Sequence, residues 1–324
     1  MADEPANALQ PPGPNAEGAL VALCGAYGRS VQSQPLHAAR IAQRLEQPGL
    51  CLADDARVYY VDGELAGWVQ VWREPASTRL WLWGVVHPGR IGRGIGTALV
   101  RWGVARAGDM ARQTPVGQRV VLRSEPLASD PRTLPLFTGQ AFRLVHHVQE
   151  WSITLVGPPP APAVPVSISI RPAHPSDDLA AIAWARSQAL RDHWDYVERA
   201  PAVELAQLQA LTQAPGFAVG DWFLAYEGSD LAGMALCQGG TVEDAQTAWV
   251  HTLCVRRHWR RRGIGLALLQ HAMRAYYERG KVAMGATVAT RRAAGDTGLY
   301  TRAGMQLWRL WHVVELEIRS GVEA

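Results

Sequence analysis

The sequence predicts two α/β domains in tandem, each a mixed, mainly antiparallel sheet flanked by helices. Three observations carry this. Segments recur in the same order across the midpoint of the chain. Glu64-Leu65-Ala66-Gly67-Trp68 returns as Asp230-Leu231-Ala232-Gly233-Met234, and residues 86–99 return as 255–268, with Gly94-Ile95-Gly96 over Gly263-Ile264-Gly265. Leu136-Phe137-Thr138-Gly139-Gln140-Ala141-Phe142 returns as Leu299-Tyr300-Thr301-Arg302-Ala303-Gly304-Met305. The offsets of 166, 169 and 163 positions drift little, as duplication of a whole domain requires. Second, residues 157–166 are Pro-rich and cannot form helix or ladder, so they read as a semi-rigid linker. Third, 324 residues exceed the roughly 100 to 200 of a single domain. The division is then a mobile tail over 1–16, a first domain over 17–156, the linker over 157–166 and a second domain over 167–320.

The elements of the second half follow in order. Residues 167–171 alternate as a strand, and 177–191 read as a helix opened by aspartates. Residues 222–226 and 231–238 form a hairpin about 227–230. A longer strand covers 246–255. Residues 265–279 make an amphipathic helix, with Leu268, Leu269, Ala272 and Tyr276 at helical spacing. A strand over 281–288, a short helix over 296–302 and a closing strand or pair over 307–318 complete the order βα, antiparallel meander, βαβ. The first half shows the same order without a clear opening strand.

Composition narrows the function. Hydrophobic residues are 48% and charged residues 19%, with a net charge of +3, which is globular and not the balance of a protein that coats nucleic acid. No apolar run approaches the roughly 20 residues of a membrane helix, and the N-terminus has no signal-like pattern, so a cytoplasmic protein is expected. Cys24, Cys51, Cys237 and Cys254 form no CxxC pair, and no His or carboxylate cluster has metal-ligand spacing. Reduced structural thiols and no metal are expected.

The chemistry concentrates in Val255-Arg256-Arg257-His258-Trp259-Arg260-Arg261-Arg262-Gly263-Ile264-Gly265, between a predicted strand and a helix. Glycines there let backbone approach a ligand, free N–H groups at the helix start form an anion site, and Arg260, Arg261 and Arg262 add charge suited to a pyrophosphate. A Rossmann loop needs a third glycine where Leu268 stands, and a Walker A loop needs GK[ST], which is absent. A basic nucleic-acid patch is the rival reading, disfavoured by the low net charge.

This run resembles the R/Q-x-x-G-x-G/A pyrophosphate loop of the GCN5-related N-acetyltransferase (GNAT) family, with Arg260, Gly263 and Gly265 at the signature positions. Leu253-Cys254-Val255 resembles the end of that family's fourth strand, and 299–305 its late LYxxxGF segment with Met305 for Phe. The resemblance covers most of 167–320 and, more weakly, 17–156, similar in architecture to mycothiol synthase and other bacterial two-domain acetyltransferases. It implies acetyl-CoA as cosubstrate and transfer of the acetyl group to a primary amine of a small molecule by direct attack, without nucleic acid or membrane partners. It also implies backbone N–H groups of Leu253, Cys254 and Val255 facing the oxyanion, cofactor contacts along Arg260, Arg261, Arg262, Gly263, Ile264 and Gly265, and Tyr300 as acid toward the CoA sulfur. A non-enzymatic acyl-CoA-binding or sensing protein is the alternative.

The base is less defined. Strand parity puts Trp249, His251, Leu253 and Val255 on one face, where His251 is the titratable side chain, while the family often has Glu at the position of Trp249. A structural histidine is the competing reading, and Glu243 and Asp244 are candidates acting through water. Cys254, on the opposite face by parity, reads as a small buried hydrophobe. The acidic and aromatic stretch 192–198 suits a cationic amine, and Ala293 replaces a family Asn. In the first half Ile91, Leu82 and Phe137 stand where Arg260, His251 and Tyr300 stand, although Gly92, Gly94 and Gly96 remain beside Arg90 and Arg93. A non-catalytic first domain is expected.

Overall fold

A computed structural model describes residues 9–14, 16–31, 38–73, 77–174, 178–213, 216–240, 244–291 and 298–322. The chain forms two compact units, one of Met1–Val148 with Arg309–Ala324 and one of Gln149–Trp308. Among the described residues, no helix is long and apolar enough to cross a membrane.

The first unit opens with strand β1 (Leu9–Gln10), helices α1 (Ala16–Ser30), α2 (Ala38–Leu45) and α3 (Leu52–Asp55), and a meander of β2 (Ala56–Val61), β3 (Glu64–Arg73) and β4 (Arg79–Val86). Helix α4 (Ile95–Arg112) leads to β5 (Val120–Ser124), parallel to β4, and α5 (Thr133–Thr138) to β6 (Arg143–Thr154). Part of the expected tail is ordered, since Leu9 and Gln10 pair antiparallel with Tyr59 and Val58. Strand faces alternate. Val69, Val71, Leu80 and Leu82 pack against α4, whereas Val58, Trp68 and Val85 pack against α1 and α2.

The second unit repeats this plan with β7 (Ile168–Pro172), α6 (Leu179–Leu190), α7 (Pro201–Thr212), β8 (Phe223–Glu227), β9 (Asp230–Gln238), β10 (Thr247–Val255), α8 (Ile264–Glu278), β11 (Ala283–Thr290), α9 (Gly298–Arg302) and β12 (Gln306–Arg319). Strands β7 to β10 are antiparallel neighbours, β11 runs parallel to β10, and residues 149–154 of β6 lie beside β11. Helix α8 buries Leu268, Leu269, Ala272, Met273 and Tyr276 on one face of the sheet, and α6 and α7 cover the other. Helix α7 gives no clear signal in the sequence. Its buried Leu208 and Glu204 make a thin stripe on a helix that is apolar on several sides.

The units do not divide at the Pro-rich stretch. The terminal strand β12 contributes residues 309–319 to the first unit, where Val314, Leu316 and Glu317 pair antiparallel with Ser124, Leu122 and Val121 of β5. Val314, Leu316 and Ile318 thereby join the core beneath α4. Local hydrophobic patterning marks β12 as a strand but does not name its partner, because pairing is non-local.

Candidate active site

Strand β10 carries one residue more than its partner. Val250 stands opposite Cys237 and Thr252 opposite Leu236, so His251 is a bulge. The bulge reverses the faces beyond it. Ala248 and Val250 join the α8 core before it, while after it Leu253 and Val255 pack on the α8 side and Cys254 joins the α6–α7 core. The uniform parity expected from the sequence therefore fails at His251. Trp249 and His251 look away from α8, Leu253 and Val255 look toward it, and Cys254 shares the α6–α7 side with His251.

The bulge also marks where the sheet opens. Pairing of β10 with β11 ends at Val250 and Ala286, leaving the following edge of β10 without a strand partner among the described residues. The Arg256 N–H donates to Ala232 O on β9 at 2.9 Å. Backbone groups alternate along a strand, so the Cys254 N–H also faces β9 and the Leu253 and Val255 N–H groups face the open edge. Of the three N–H groups expected at an oxyanion, the geometry leaves those two.

Below that edge, Gly263 caps α8 with φ +85° and has no side chain to answer the helix's first N–H groups. A Cβ on Gly263 would meet nothing within 4 Å, so the cap faces open space. Arg261 also adopts a left-handed conformation, φ +64°, costly for a residue with a Cβ by about 1–2 kcal/mol. The N–H groups of Ile264, Gly265 and Leu266 form a cradle matched to an anion. Gly265 is needed for closeness, because a Cβ there would stand 3.0 Å from Leu299.

The arginines divide by task. Arg260 is tied down by hydrogen bonds, with 34% of its side chain exposed. Its Nε donates to Val255 O at 3.0 Å and its Nη2 to Ala189 O at 2.7 Å, and both terminal nitrogens bind the Asp192 carboxylate. These hydrogen bonds hold the Asp192 carboxyl below the usual carboxylate range. Arg260 thus ties the loop to the end of α6 instead of pointing its charge into the cradle. Arg262 pairs with Glu227, which also accepts from Trp259 Nε1 at 2.8 Å, and Arg256 lies between the rings of Trp184 and Trp259 at 4.4 and 4.5 Å. Arg257, Arg261 and Arg262 are all exposed, Arg262 while paired with Glu227. If Arg260 acts by bracing, Arg260→Gln and Asp192→Ala will both weaken acetyl-CoA binding several-fold in a calorimetric titration. A direct phosphate contact would instead leave Asp192→Ala unchanged or tighter.

Tyr300 is buried on α9 and stacks on Trp151, with ring centroids 5.6 Å apart and planes at 16°. Burial pushes its hydroxyl up to about 12, so it is a proton donor at neutral pH. His251 rests edge-on against Phe217 at 5.4 Å with Nδ1 3.3 Å from Thr252 Oγ1. Desolvation, ahead of the charge of Arg186, lowers its pKa and favours the neutral ring, although the residue keeps an exposed surface. Arg186 is held by the buried Glu204 at 2.9 Å. The Cys254 thiol is buried and pushed up to about 12, the opposite of an activated nucleophile.

Of the 192–198 stretch, Asp192 is taken by Arg260, and Glu198 pairs with Arg191 at 3.1 Å. His193, Asp195 and Tyr196 line a recess with Arg186 and Arg199. Asp244 turns back onto Thr247 and the Gln246 N–H, a turn-closing role. Glu243 and Ala293 lie outside the described residues.

The first unit repeats the cradle, and β4 likewise parts from β5 beyond Trp81 and Arg123, but it lacks the bulge and the tyrosine. Gly92 and Gly94 have φ +80° and +79°, Gly94 caps α4, and Arg90 reaches Asp62 and Glu64 at 3.3 and 3.5 Å. Strand β4, however, pairs with β3 without a register shift. Leu82 stands opposite Val71, as Val250 does opposite Cys237, so His251 has no counterpart and Leu82 is not its equivalent. On the other face Trp83 carries the Arg44 guanidinium at 4.9 Å, filling the space beside the strand. Phe137 packs edge-on to Phe142 at 5.1 Å in the place of Tyr300.

Comparison with known proteins agrees with this geometry. The chain matches the acetyltransferase (GNAT) family over residues 22–122 and 180–305. No curated protein matches it. Among solved structures, a GCN5-related N-acetyltransferase from Sphaerobacter thermophilus is 30% identical with TM-score 0.86, over 100% of this chain and 99% of that one. A tandem GNAT protein from the clavulanic acid biosynthesis pathway shares the fold at 18% identity and TM-score 0.66, over 97% and 99%. A glucosamine N-acetyltransferase region of a fungal multi-domain β-N-acetylglucosaminidase does so at 16% and 0.69, over 98% of this chain and 39% of that one.

Proposed function

Since the chain belongs to the GNAT acetyltransferase family, whose fold supports acyl transfer from acyl-CoA to an amine, we propose that the second unit acetylates a primary amine of a small molecule by direct attack and that the first unit is not catalytic. The observation that carries this is the bulge at His251, which sets an imidazole beside the point where β10 parts from β11 and two N–H groups face an open edge above the anion cradle. The first unit keeps the cradle and a parting of β4 from β5, but has neither the bulge nor a tyrosine at the position of Phe137.

Acetyl-CoA supplies a thioester, at whose carbonyl carbon a C–N bond forms as the C–S bond breaks. The cradle of Ile264, Gly265 and Leu266, with Arg257 and Arg261 at its rim, suits the pyrophosphate. Leu253 and Val255 N–H groups stabilise the charge that develops on the carbonyl oxygen. Neutral His251 takes the proton lost by the nitrogen, and the Arg186 charge that keeps the imidazole neutral also favours an unprotonated amine. Tyr300 donates its proton to the departing sulfur and recovers one from solvent. The buried, protonated Cys254 supports direct attack over an acyl-enzyme.

The test is release of CoA from acetyl-CoA by the full-length protein across a panel of primary amines. Amine-dependent release supports the proposal, whereas tight binding with no release for any amine supports an acyl-CoA sensor. The pH profile adds a check on His251. Because its pKa is lowered, activity will rise with pH along an acid limb centred below the ordinary value of 6.5. His251→Gln will remove that limb and lower kcat by about tenfold or more.

A further inference from the structure

Trp249 occupies the strand position just before the bulge, on the face turned away from α8. Its indole lies across Gly285 of β11, where any Cβ would come within 2.0 Å of the ring, and its Nε1–H donates to Thr287 Oγ1 at 3.2 Å. A glycine seat and a hydrogen bond therefore fix the ring. The ring of Trp308 on β12 stands 6.4 Å away at 59°, with 40% of that residue exposed. The two indoles make a V-shaped aromatic wall one residue from the point where β10 and β11 separate. Trp249 is partly exposed and Trp308 40% exposed, so the two rings present apolar faces that a flat ligand can cover.

We propose that Trp249 and Trp308 determine acceptor specificity, selecting a primary amine that carries a flat, apolar body such as an aryl ring. This rests on the acyltransferase reading of the same site and adds to it the class of acceptor. The amine end of such a molecule lies toward His251, and its ring lies against the indoles. Arg186, beside His251, disfavours a second cationic group at the amine end.

The experiment compares 2-phenylethylamine with its saturated counterpart, 2-cyclohexylethylamine, on the full-length protein saturated with CoA. Dissociation constants are measured by calorimetry, and CoA release from acetyl-CoA is followed separately. We expect the planar amine to bind more tightly. Trp308→Ala is expected to reduce its affinity roughly three- to tenfold, the range of an aromatic pair, with little change for the cyclohexyl amine. Trp308→Phe is expected to restore most of the loss. An exposed residue is replaced, and an unchanged melting temperature checks the fold. Equal binding of the two amines, no binding of either, or a preference that survives Trp308→Ala overturns the proposal. Planar preference without CoA release would sustain this wall and count against acyl transfer, while release without preference would do the reverse.

Discussion

Tyr300→Phe is expected to lower kcat by roughly 10²- to 10³-fold while leaving acetyl-CoA affinity within about twofold. The substitution removes one oxygen and keeps the ring, so the stack on Trp151 and the surrounding core of Leu299, Ala303 and Met305 are preserved. Loss of rate with retained binding therefore reports on the proton and not on folding. The direction follows from charge. A thiolate leaving group without a donor must depart as an anion beside a buried apolar wall, whereas a hydroxyl with its pKa near 12 is fully protonated at any ordinary assay pH. No alkaline limb from this group is expected below about pH 11. An acetyl thioester of a more acidic thiol needs less help in leaving, so the defect of the variant will shrink with that donor. A change of less than threefold in kcat, with no dependence on the leaving group, would make Tyr300 a packing residue like Phe137 in the first unit.

Local features are legible in the sequence, and features that depend on a distant partner are not. The glycine loop was legible because Gly263 and Gly94 are needed for the same left-handed cap in both units, and glycine is the residue that adopts it without strain. The position of Tyr300 was legible from its duplicated neighbours. The bulge at His251 was not, since it exists only as a mismatch between the counts of β10 and β9, and a single inserted residue inverts every inference from parity beyond it. The offset of 169 seemed to align His251 with Leu82 for the same reason. Arg260 illustrates a different failure. The sequence shows a cation beside an anion cradle, but not that Asp192, Ala189 and Val255 converge on it first. Trp249 was read as a missing carboxylate because the glycine that seats it, Gly285, lies 36 positions away on another strand.

Removing residues 309–324 is expected to abolish the fold of the first unit, although the deletion begins more than 140 residues beyond the Pro-rich stretch. Val314 is buried in the α4 core and Leu316 and Ile318 pack against it partly buried; at about 1.5–3 kcal/mol for a fully buried aliphatic side chain and less for the other two, their loss removes a sizeable share of the ~5–15 kcal/mol stability of a typical domain. The deletion also strips the buried Arg123 of Glu315 at 2.8 Å and leaves α4 without Arg319, which donates to the carbonyls of Ala111, Thr114 and Pro115. A buried guanidinium that has lost Glu315 and an unpaired β5 edge both favour aggregation over a trimmed native state. Fragment 1–156, cut at the linker as the repeat alone would suggest, lacks the same strand and should show no cooperative thermal transition. Adding a peptide of residues 306–322 should restore one. A cooperative transition in fragment 1–156 by itself would show that β5 tolerates a free edge and that the exchanged strand is an accessory of the first unit. Recovery that requires the peptide would show that the first unit folds only when the strand from the far end of the chain is supplied, in cis or in trans.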